Sequence, residues 1–373
     1  MEYHDRLGLS KSRFAQLREQ FETRTFRGRE YEHLPDYRSD LDRGVVLMEG
    51  TVVAGFPKVP RTLLIQEGVP RHFEGDIAIE EKLDGYNVRV ACVDDDPPGE
   101  PLAFTRSGII CPFTTYKVRE LLPVESFFSA FPDLLLCGEM LGPENPYTAT
   151  QYEDIDSLDI RVFGVRERET GTPIPVPERR DRCAAHDISQ VPFHGSYTPE
   201  EAVETLPELV ADLDAAGREG VVMKSLDVDK QLKYTTSAAN QGDLAYAFSL
   251  PFDYGQSFMF QRLIREAFQS VEFEEDDQKQ QDRAHDLGES ILLPMVETIE
   301  RVQGGETVGE THTVRAPQSV IEDLFDHFEA LGLTIHTEDE RTEDGECVVS
   351  FVKETRSTND TIRSYLDGHI VRE

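Results

Sequence analysis

Apolar positions along the chain follow two periods, and the change from one to the other divides it. Between residues 66 and 247 the apolar residues come in short β-favouring runs: Ile77-Ala78-Ile79, Leu135-Leu136, Ile160 to Val165 and Val221-Val222-Met223. After Ile79 the chain reads Glu80-Glu81-Lys82-Leu83-Asp84-Gly85, and Val88, Val90 and Ala91 then read as a returning strand. Asp84-Gly85 is a tight-turn signal, which predicts a hairpin with Lys82 near its bend. From 248 to 313 the period lengthens to three and four. Phe260, Leu263, Ile264, Ala267, Phe268 and Val271 predict one amphipathic helix, and Leu287, Ile291, Leu292, Met295, Ile299 and Val302 a second, with the acidic run between them as a loop. The default fate of such stripes is the core of their own chain.

The flanks are mixed. A helix is expected from Lys11 to Phe21, then β-rich runs from Gly44 to Gly55 and Val59 to Ile65. At the other end the pattern predicts helices at Ser319 to Leu331 and Ser357 to Leu366, and strands at Leu333 to Thr337 and Cys347 to Lys353. The expected class is α+β, in four modules: an N-terminal α+β appendage (1–65), a catalytic sheet domain (66–247), a helical segment (248–313) and a C-terminal α+β domain (314–373).

Charge changes the picture of the surroundings. Acidic residues number 72 against 38 basic ones, a formal charge of −34, spread through every segment. With β-rich apolar runs present, this reads as a folded protein with a heavily solvated surface rather than a disordered acidic chain. At ~1 M salt the Debye length is about 3 Å, so self-repulsion is screened, and a halophilic, haloarchaeal origin is expected. Only nine of the basic residues are lysine, and Lys82, Lys224, Lys230 and Lys233 are four of them. The five cysteines include no Cys-x-x-Cys spacing and are expected to be free thiols in a reducing cytosol. No secretory segment and no run of roughly 20 apolar residues is present, so a cytoplasmic protein off the membrane is expected.

Lys82 alone could be a surface lysine, but its companions recur in order. Thr105-Arg106-Ser107-Gly108 follows an apolar segment, and Cys137-Gly138-Glu139-Met140 brings a carboxylate to a strand end. Asp159 to Val165 carries Phe163, Arg218-Glu219-Gly220-Val221-Val222-Met223-Lys224 sets an acid and a base at opposite strand ends, and Gln231-Leu232-Lys233-Tyr234 follows. Together with Tyr86-Asn87-Val88-Arg89, this set resembles the covalent nucleotidyltransferases, the polynucleotide ligases and capping enzymes. It is most similar to the archaeal homodimeric ATP-dependent RNA ligases, and the likeness extends over most of the chain.

The resemblance implies a ligase-type antiparallel nucleotidyltransferase domain in which Lys82 becomes adenylated by ATP. An attacking amine must be neutral, whereas free lysine titrates near ~10.4. Lys224, Lys233 and a bound Mg2+ or Mn2+ are the candidates for lowering that value and for neutralising the α-phosphate. Glu139 and Glu219 are the candidate metal carboxylates. By resemblance Glu80 accepts from the adenine amino group and Phe163 stacks on the base. Arg106 meets ribose or phosphates, Glu139 the ribose or a metal-bound water, and Arg89 the phosphate end. Asn87, five residues after the nucleophile, points to RNA, because DNA ligases usually carry arginine there. Bland readings stand beside these: Phe163 as core, Arg106 as a surface ion pair, Glu80 as a solvated charge and Lys230 as a loop lysine. The partners implied are ATP and single-stranded RNA with 5′-phosphate and 3′-hydroxyl ends, joined or circularised, with dimerisation through 248–313. A DNA ligase, a capping-type guanylyltransferase and an RNA-binding protein with a degenerate transferase fold remain the alternatives.

Overall fold

The computed structural model describes residues 2–93, 99–148 and 150–370. Helices α1 (Tyr3–Arg6) and α2 (Lys11–Arg18) precede a meander of β1 (Glu22–Phe26), β2 (Arg29–His33), β3 (Val46–Met48) and β4 (Thr51–Val53). The catalytic region then runs α3 (Ile65–His72), β5 (Ile77–Lys82), β6 (Tyr86–Cys92), β7 (Pro101–Thr105), α4 (Pro112–Leu121), α5 (Val124–Ala130), β8 (Leu134–Leu141) and β9 (Asp159–Glu167). It continues through α6 (Val176–Ala185), β10 (Phe193–Tyr197), α7 (Pro199–Ala215), β11 (Gly220–Ser225) and β12 (Gln231–Thr235). Helices α8 (Ser237–Ser249), α9 (Gln256–Glu272) and α10 (Asp277–Gln303) follow, then β13 (Gly309–Ala316), α11 (Gln318–Ala330), β14 (Ile335–Glu343), β15 (Glu346–Glu354) and α12 (Arg356–Leu366). The class is α+β, as the sequence pattern predicts, with antiparallel sheets, as the resemblance implies.

The expected hairpin at Lys82 does not form. β5 lies between β10 and β11, while β6 lies between β7 and β8 in a second sheet. Leu83-Asp84-Gly85 is therefore a crossover between two sheets, and Lys82 is delivered to the cleft where they face each other. Gly85 permits the crossing: a Cβ there would stand 2.4 Å from the Met140 carbonyl oxygen and 3.0 Å from Glu139 Cγ.

Each sheet is backed by its own core. Ile77 and Ile79 of β5, Val221 and Met223 of β11 and Leu232 and Tyr234 of β12 pack against α3 and α7. Val88, Val90, Leu136 and Ile160 pack against α4, α5 and α6. The other face of this second sheet is covered by the N-terminal meander, through Phe26, Tyr31, Val46 and Met48 against Ala91, Phe104 and Leu135. The C-terminal sheet and α11 close over Cys111 and Phe113 at the start of α4. All five cysteines are buried.

Several boundaries differ from the sequence reading, among them the helix expected to Phe21, which ends at Arg18, and the strand expected at Leu333 to Thr337, which runs Ile335–Glu343. Ile65 opens α3 instead of ending a strand, and of the segment before it only Arg61 forms a bridge, to Lys233. Part of the acidic run between the two helical stripes is helix, since α10 starts at Asp277 with Asp276 as its N-cap. β13 pairs along its whole length with β15, so most of a strand assigned to the helical segment belongs to the C-terminal sheet.

The first amphipathic stripe is turned outward. Phe260 is 63% exposed and Val271 73%, while Glu266 and Gln269 on the same helix are buried. Glu266 accepts from Ser237, Asn240 and Arg283, and Gln269 Nε2 donates to the Thr235 carbonyl at 2.6 Å. On α10, Leu292, Leu293, Val296 and Ile299 are exposed as well. Most of these apolar positions are not core for their own chain, the exception being Val302 near the end of α10, which packs with Val308 and Ile362. Among the described residues no helix is long and apolar enough to cross a membrane.

Candidate active site

Strand alternation builds the cleft. The residues of β5, β11 and β12 that alternate with the core positions are Glu80 and Lys82, Val222 and Lys224, Gln231 and Lys233, and all six line one cavity. Register holds them together, with Val222 opposite both Glu80 and Lys233, and Gly220 opposite Lys82. The facing sheet contributes Asn87, Glu139 and Phe163, and the N-terminal region contributes Phe56 and Val59. The space measures about 770 Å3 including its open mouth.

At one end, Lys82 Nζ forms an ion pair with Glu219 Oε1. Burial alone would lower the pKa of this amine, but Glu219 and Glu139 more than reverse that, and it is raised. The carboxyls show the complementary strain. Burial pushes Glu139 up to about 8, opposed by Lys82 and reinforced by Glu219 and Asp84. Glu219 and Asp84 are also raised, burial first. Glu219 Oε2 is buried without a hydrogen-bond partner among the described residues. The orphaned Glu219 oxygen, with the raised Glu139 carboxyl nearby, suits a divalent cation bound through one or two carboxylates that takes the rest of its shell from water and phosphate. No group of three or more His, Cys, Asp or Glu among the described residues could hold a metal ion by itself.

At the other end the bland reading of Glu80 fails. Glu80 is fully buried and bridges two cations, accepting from Arg179 Nη1 at 3.2 Å, from Arg179 Nη2, and from Lys224 Nζ at 2.7 Å. Burial would raise its carboxyl, but Lys224 and Arg179 outweigh this and hold it below the usual carboxylate range. Lys224, lowered by burial, lies on the Glu80 side of the cavity, where its direct partners are Glu80 and the Phe163 carbonyl. Phe163 is the extra residue of a β-bulge, since Cys137 pairs with Gly164 and Gly138 with Val162. A bulge re-aims its side chain and frees a carbonyl. That carbonyl accepts from Arg179 Nη1 and Lys224 Nζ, both at 2.7 Å, and the ring meets Phe56 edge-on at 5.5 Å. Phe163 is thus a cavity wall and not plain core.

The remaining predicted residues divide. Asn87 lines the cavity opposite Glu139, its Oδ1 buried and without a partner among the described residues. Arg106 lines it too, with Nη2 donating to Tyr37 Oη at 3.2 Å. Lys233 lines it with its pKa lowered to about 8, by burial first and then by Lys82, Arg61 and Arg106. Arg89 does not line it. It is fully buried two residues further along β6, donating to the carbonyls of Gly44 at 2.7 Å, Thr105 at 3.0 Å and Ala54. Arg89 fastens the N-terminal region to the second sheet, which corrects its assignment to the phosphate end. Lys230 pairs with Glu74 at 3.2 Å on the surface. Sequence reasoning missed Arg179, Phe56 and Val59, which stand in no motif. Their only signal is three-dimensional.

Comparison with known proteins agrees with this geometry. Residues 75–235 match the family model "RNA ligase" and residues 246–369 the model "Ligase Pab1020 C-terminal region". An uncharacterised protein of Methanocaldococcus jannaschii is 38% identical over 341 residues, 88% of this chain and 85% of its own. Two structures titled archaeal ATP-dependent RNA ligase, forms 1 and 2, superpose with a TM-score of 0.91 at 38% identity, covering 99% of this chain and 98% of theirs. A putative ATP-dependent DNA ligase from Aquifex aeolicus shares the fold, with a TM-score of 0.88 at 24% identity over 97% of this chain and 99% of its own. With likeness of this extent across both the catalytic and the C-terminal regions, the chain belongs to the archaeal ATP-dependent RNA ligase family.

Proposed function

We propose that the chain seals single-stranded RNA, joining a 5′-phosphate to a 3′-hydroxyl intermolecularly or as a circle, by way of lysyl-AMP and RNA-adenylate. The observation that carries this is Lys82 at the inter-sheet crossover, in one cavity with Glu139, Lys233 and Phe163 and ion-paired to Glu219. The Lys82 amine attacks the α-phosphorus of ATP, forming an N–P bond as the P–O bond to pyrophosphate breaks. The nucleotide then passes to the RNA 5′-phosphate, and the 3′-hydroxyl oxygen finally displaces AMP. In this reading Phe163 stacks on the base with Phe56 packed edge-on behind it, and Lys224, fixed by Glu80, orients the base. Lys233 and Arg106 neutralise phosphate charge, and Asn87 holds the reacting phosphate in line. Mg2+ or Mn2+ held by Glu139 and Glu219 would supply charge neutralisation at the phosphates and release Lys82 from their pull. Three helices follow β12, which favours this reading over DNA-ligase or capping enzymes that carry a barrel there. The outward apolar faces of α9 and α10 support a homodimer, and the net charge supports work at high salt.

The test is labelling with α-labelled ATP and a divalent metal. Label should remain on the denatured wild type and vanish in Lys82→Ala, and 5′-phosphorylated RNA should be sealed in preference to nicked duplex DNA. Full labelling of the variant, equal labelling from GTP, or a clear preference for nicked DNA would each overturn the reading.

A further inference from the structure

The inward face of α9 brings cations to the phosphate end of the cavity from outside every recognised motif. Arg262, Arg265 and Gln269 share that face at three- and four-residue steps. Gln269 is anchored to the Thr235 carbonyl, and the Thr235 hydroxyl accepts from Arg61 Nη1. Arg61 is held beside Lys233 by a short parallel bridge, with Lys233 N donating to Pro60 O at 3.0 Å and Thr62 N to Lys233 O at 3.1 Å. The next residue along β12 from Thr235, Thr236, donates its N–H to Glu219 O at 3.0 Å. Arg61 and the α9 arginines therefore converge on the end of β12 where Lys233 and Glu219 stand.

The carboxylates nearby are already engaged. Asp243 accepts from Arg262 Nε at 2.8 Å, and Glu219 pairs with Lys82. Arg265 Nη1 reaches only the neutral Asn240 Oδ1, at 3.4 Å, and neither Arg61 nor Arg265 is in an ion pair among the described residues. Their proximity shows in the electrostatics, since Arg61 is lowered to about 10 by burial and then by Arg265. Asp243 and Glu219 lie near enough to act on both arginines but touch neither, and in a chain with 72 acidic residues against 38 basic ones two semi-buried guanidiniums without a carboxylate in contact are costly unless an anion completes them.

From this geometry we propose that Arg61 and Arg265 form a second anion site, continuous with the nucleotide cavity at its Lys233 end, which takes a phosphate group beyond the α-phosphate. The shared chemistry is a phosphate with free oxygens to accept a guanidinium fork. Its source is either the pyrophosphate portion of ATP or the 5′-phosphate of the RNA. The inference rests on the ligase reading above. It also gives α9 a share in the site, because Arg61 comes from the segment before α3 and Arg265 from the helical segment.

The experiment uses the full chain in molar KCl with Arg61→Gln, Arg265→Gln and Arg265→Lys. Binding is titrated with inorganic pyrophosphate and with 5′-phosphorylated against 5′-hydroxyl RNA. Three partial reactions are timed: Lys82 labelling, AMP transfer from pre-adenylated enzyme to RNA, and sealing of pre-adenylated RNA. The Gln variants should lose about ten- to hundredfold in one of the first two, the range for a lost charge-assisted hydrogen bond, and Arg265→Lys should retain part of what Arg265→Gln loses. Loss in labelling together with pyrophosphate affinity identifies ATP as the source. Loss in transfer with labelling intact identifies the RNA 5′-phosphate. If both Gln variants keep affinity and both steps within about twofold, or lose all three steps equally, the site is refuted. Should Arg265→Gln unfold, Arg61→Gln decides by the same readouts. A wild type that takes no label at Lys82 would instead refute the ligase reading, with pyrophosphate binding still measurable.

Discussion

Replacing Glu80 by Gln keeps the shape of the side chain and removes the one anion between two buried cations. The Glu80, Arg179 and Lys224 side chains are 1%, 2% and 4% exposed, so water cannot take over the lost charge. Breaking a buried pair from one side costs about 3–5 kcal/mol, and here one carboxylate serves two cations. For a catalytic unit of this size, about 2–4 °C per kcal/mol puts the expected fall in melting temperature at roughly 6–20 °C. The sign with pH is fixed by the direction of the shift. Glu80 sits below its unfolded value, so its contribution is complete above the unfolded pKa of about 4.3 and is lost as pH falls through the folded one. The gap between wild type and Glu80→Gln, read by calorimetry in molar KCl, should thus be full at pH 7 and close in acid. Glu80→Gln combined with Lys224→Met should be less damaging than the sum of the two singles, because removing both charges leaves Arg179 with the Phe163 carbonyl. A Glu80→Gln protein within about 0.5 kcal/mol of wild type at pH 7 would refute the reasoning.

Gly85→Ala should slow Lys82 labelling by about 10²-fold, because the added Cβ pushes on Met140 and on Glu139, and an unchanged rate would contradict the close approach. Lys233, lowered to about 8, is charged below that pH and neutral above it, so ATP affinity should weaken above about pH 8 in the wild type and stay level in Lys233→Arg, as read from KM in stopped labelling assays. Light scattering should report about twice 42.3 kDa for the wild type and a shift toward monomer for Phe268→Glu with Leu292→Glu, and a wild-type monomer at micromolar concentration would count against the dimer. Activity should rise from dilute buffer to molar KCl, and full activity in dilute buffer would remove the halophilic reading while leaving the enzyme untouched.

Where side chains alternate within a strand, the site was legible in the sequence: Glu80 and Lys82, Val222 and Lys224, Gln231 and Lys233 could be set on one face before any sheet was known. Pairing was not legible. An Asp-Gly step reads the same in a hairpin as in a crossover, and what decides is that β10 and β11 occupy both edges of β5, leaving none for β6. Arg89 shows the limit of motif reading. It shares a face of β6 with Asn87, but two residues of rise carry it under Gly44 and Ala54, out of reach of the cavity. Arg179 and Phe56 come from α6 and from the segment after β4, so only the folded chain brings them beside Glu80 and Phe163.

The inversion of α9 joins the questions of assembly and salt. Its period was plain in the sequence, but period alone does not say which face turns inward. Here Glu266 is held by α8 and Arg283, Gln269 Nε2 donates to β12, and the apolar stripe is left to the outside. Two copies each carrying −34 repel wherever carboxylates meet, so a self-association surface must be poor in charge at its centre. Phe260, Phe268 and Val271 of α9 and Leu292, Val296 and Ile299 of α10 are the exposed apolar residues that the proposed dimer would use as such a centre, and their burial would gain about 25 cal/mol per Å2 of apolar surface. Acids around that centre oppose contact over a range set by salt, roughly 10 Å at 0.1 M against 3 Å at 1 M. In the proposed homodimer, association and a need for high salt would be two consequences of the same faces: apolar burial works at any ionic strength, but screening would be what lets the copies come close enough to use it.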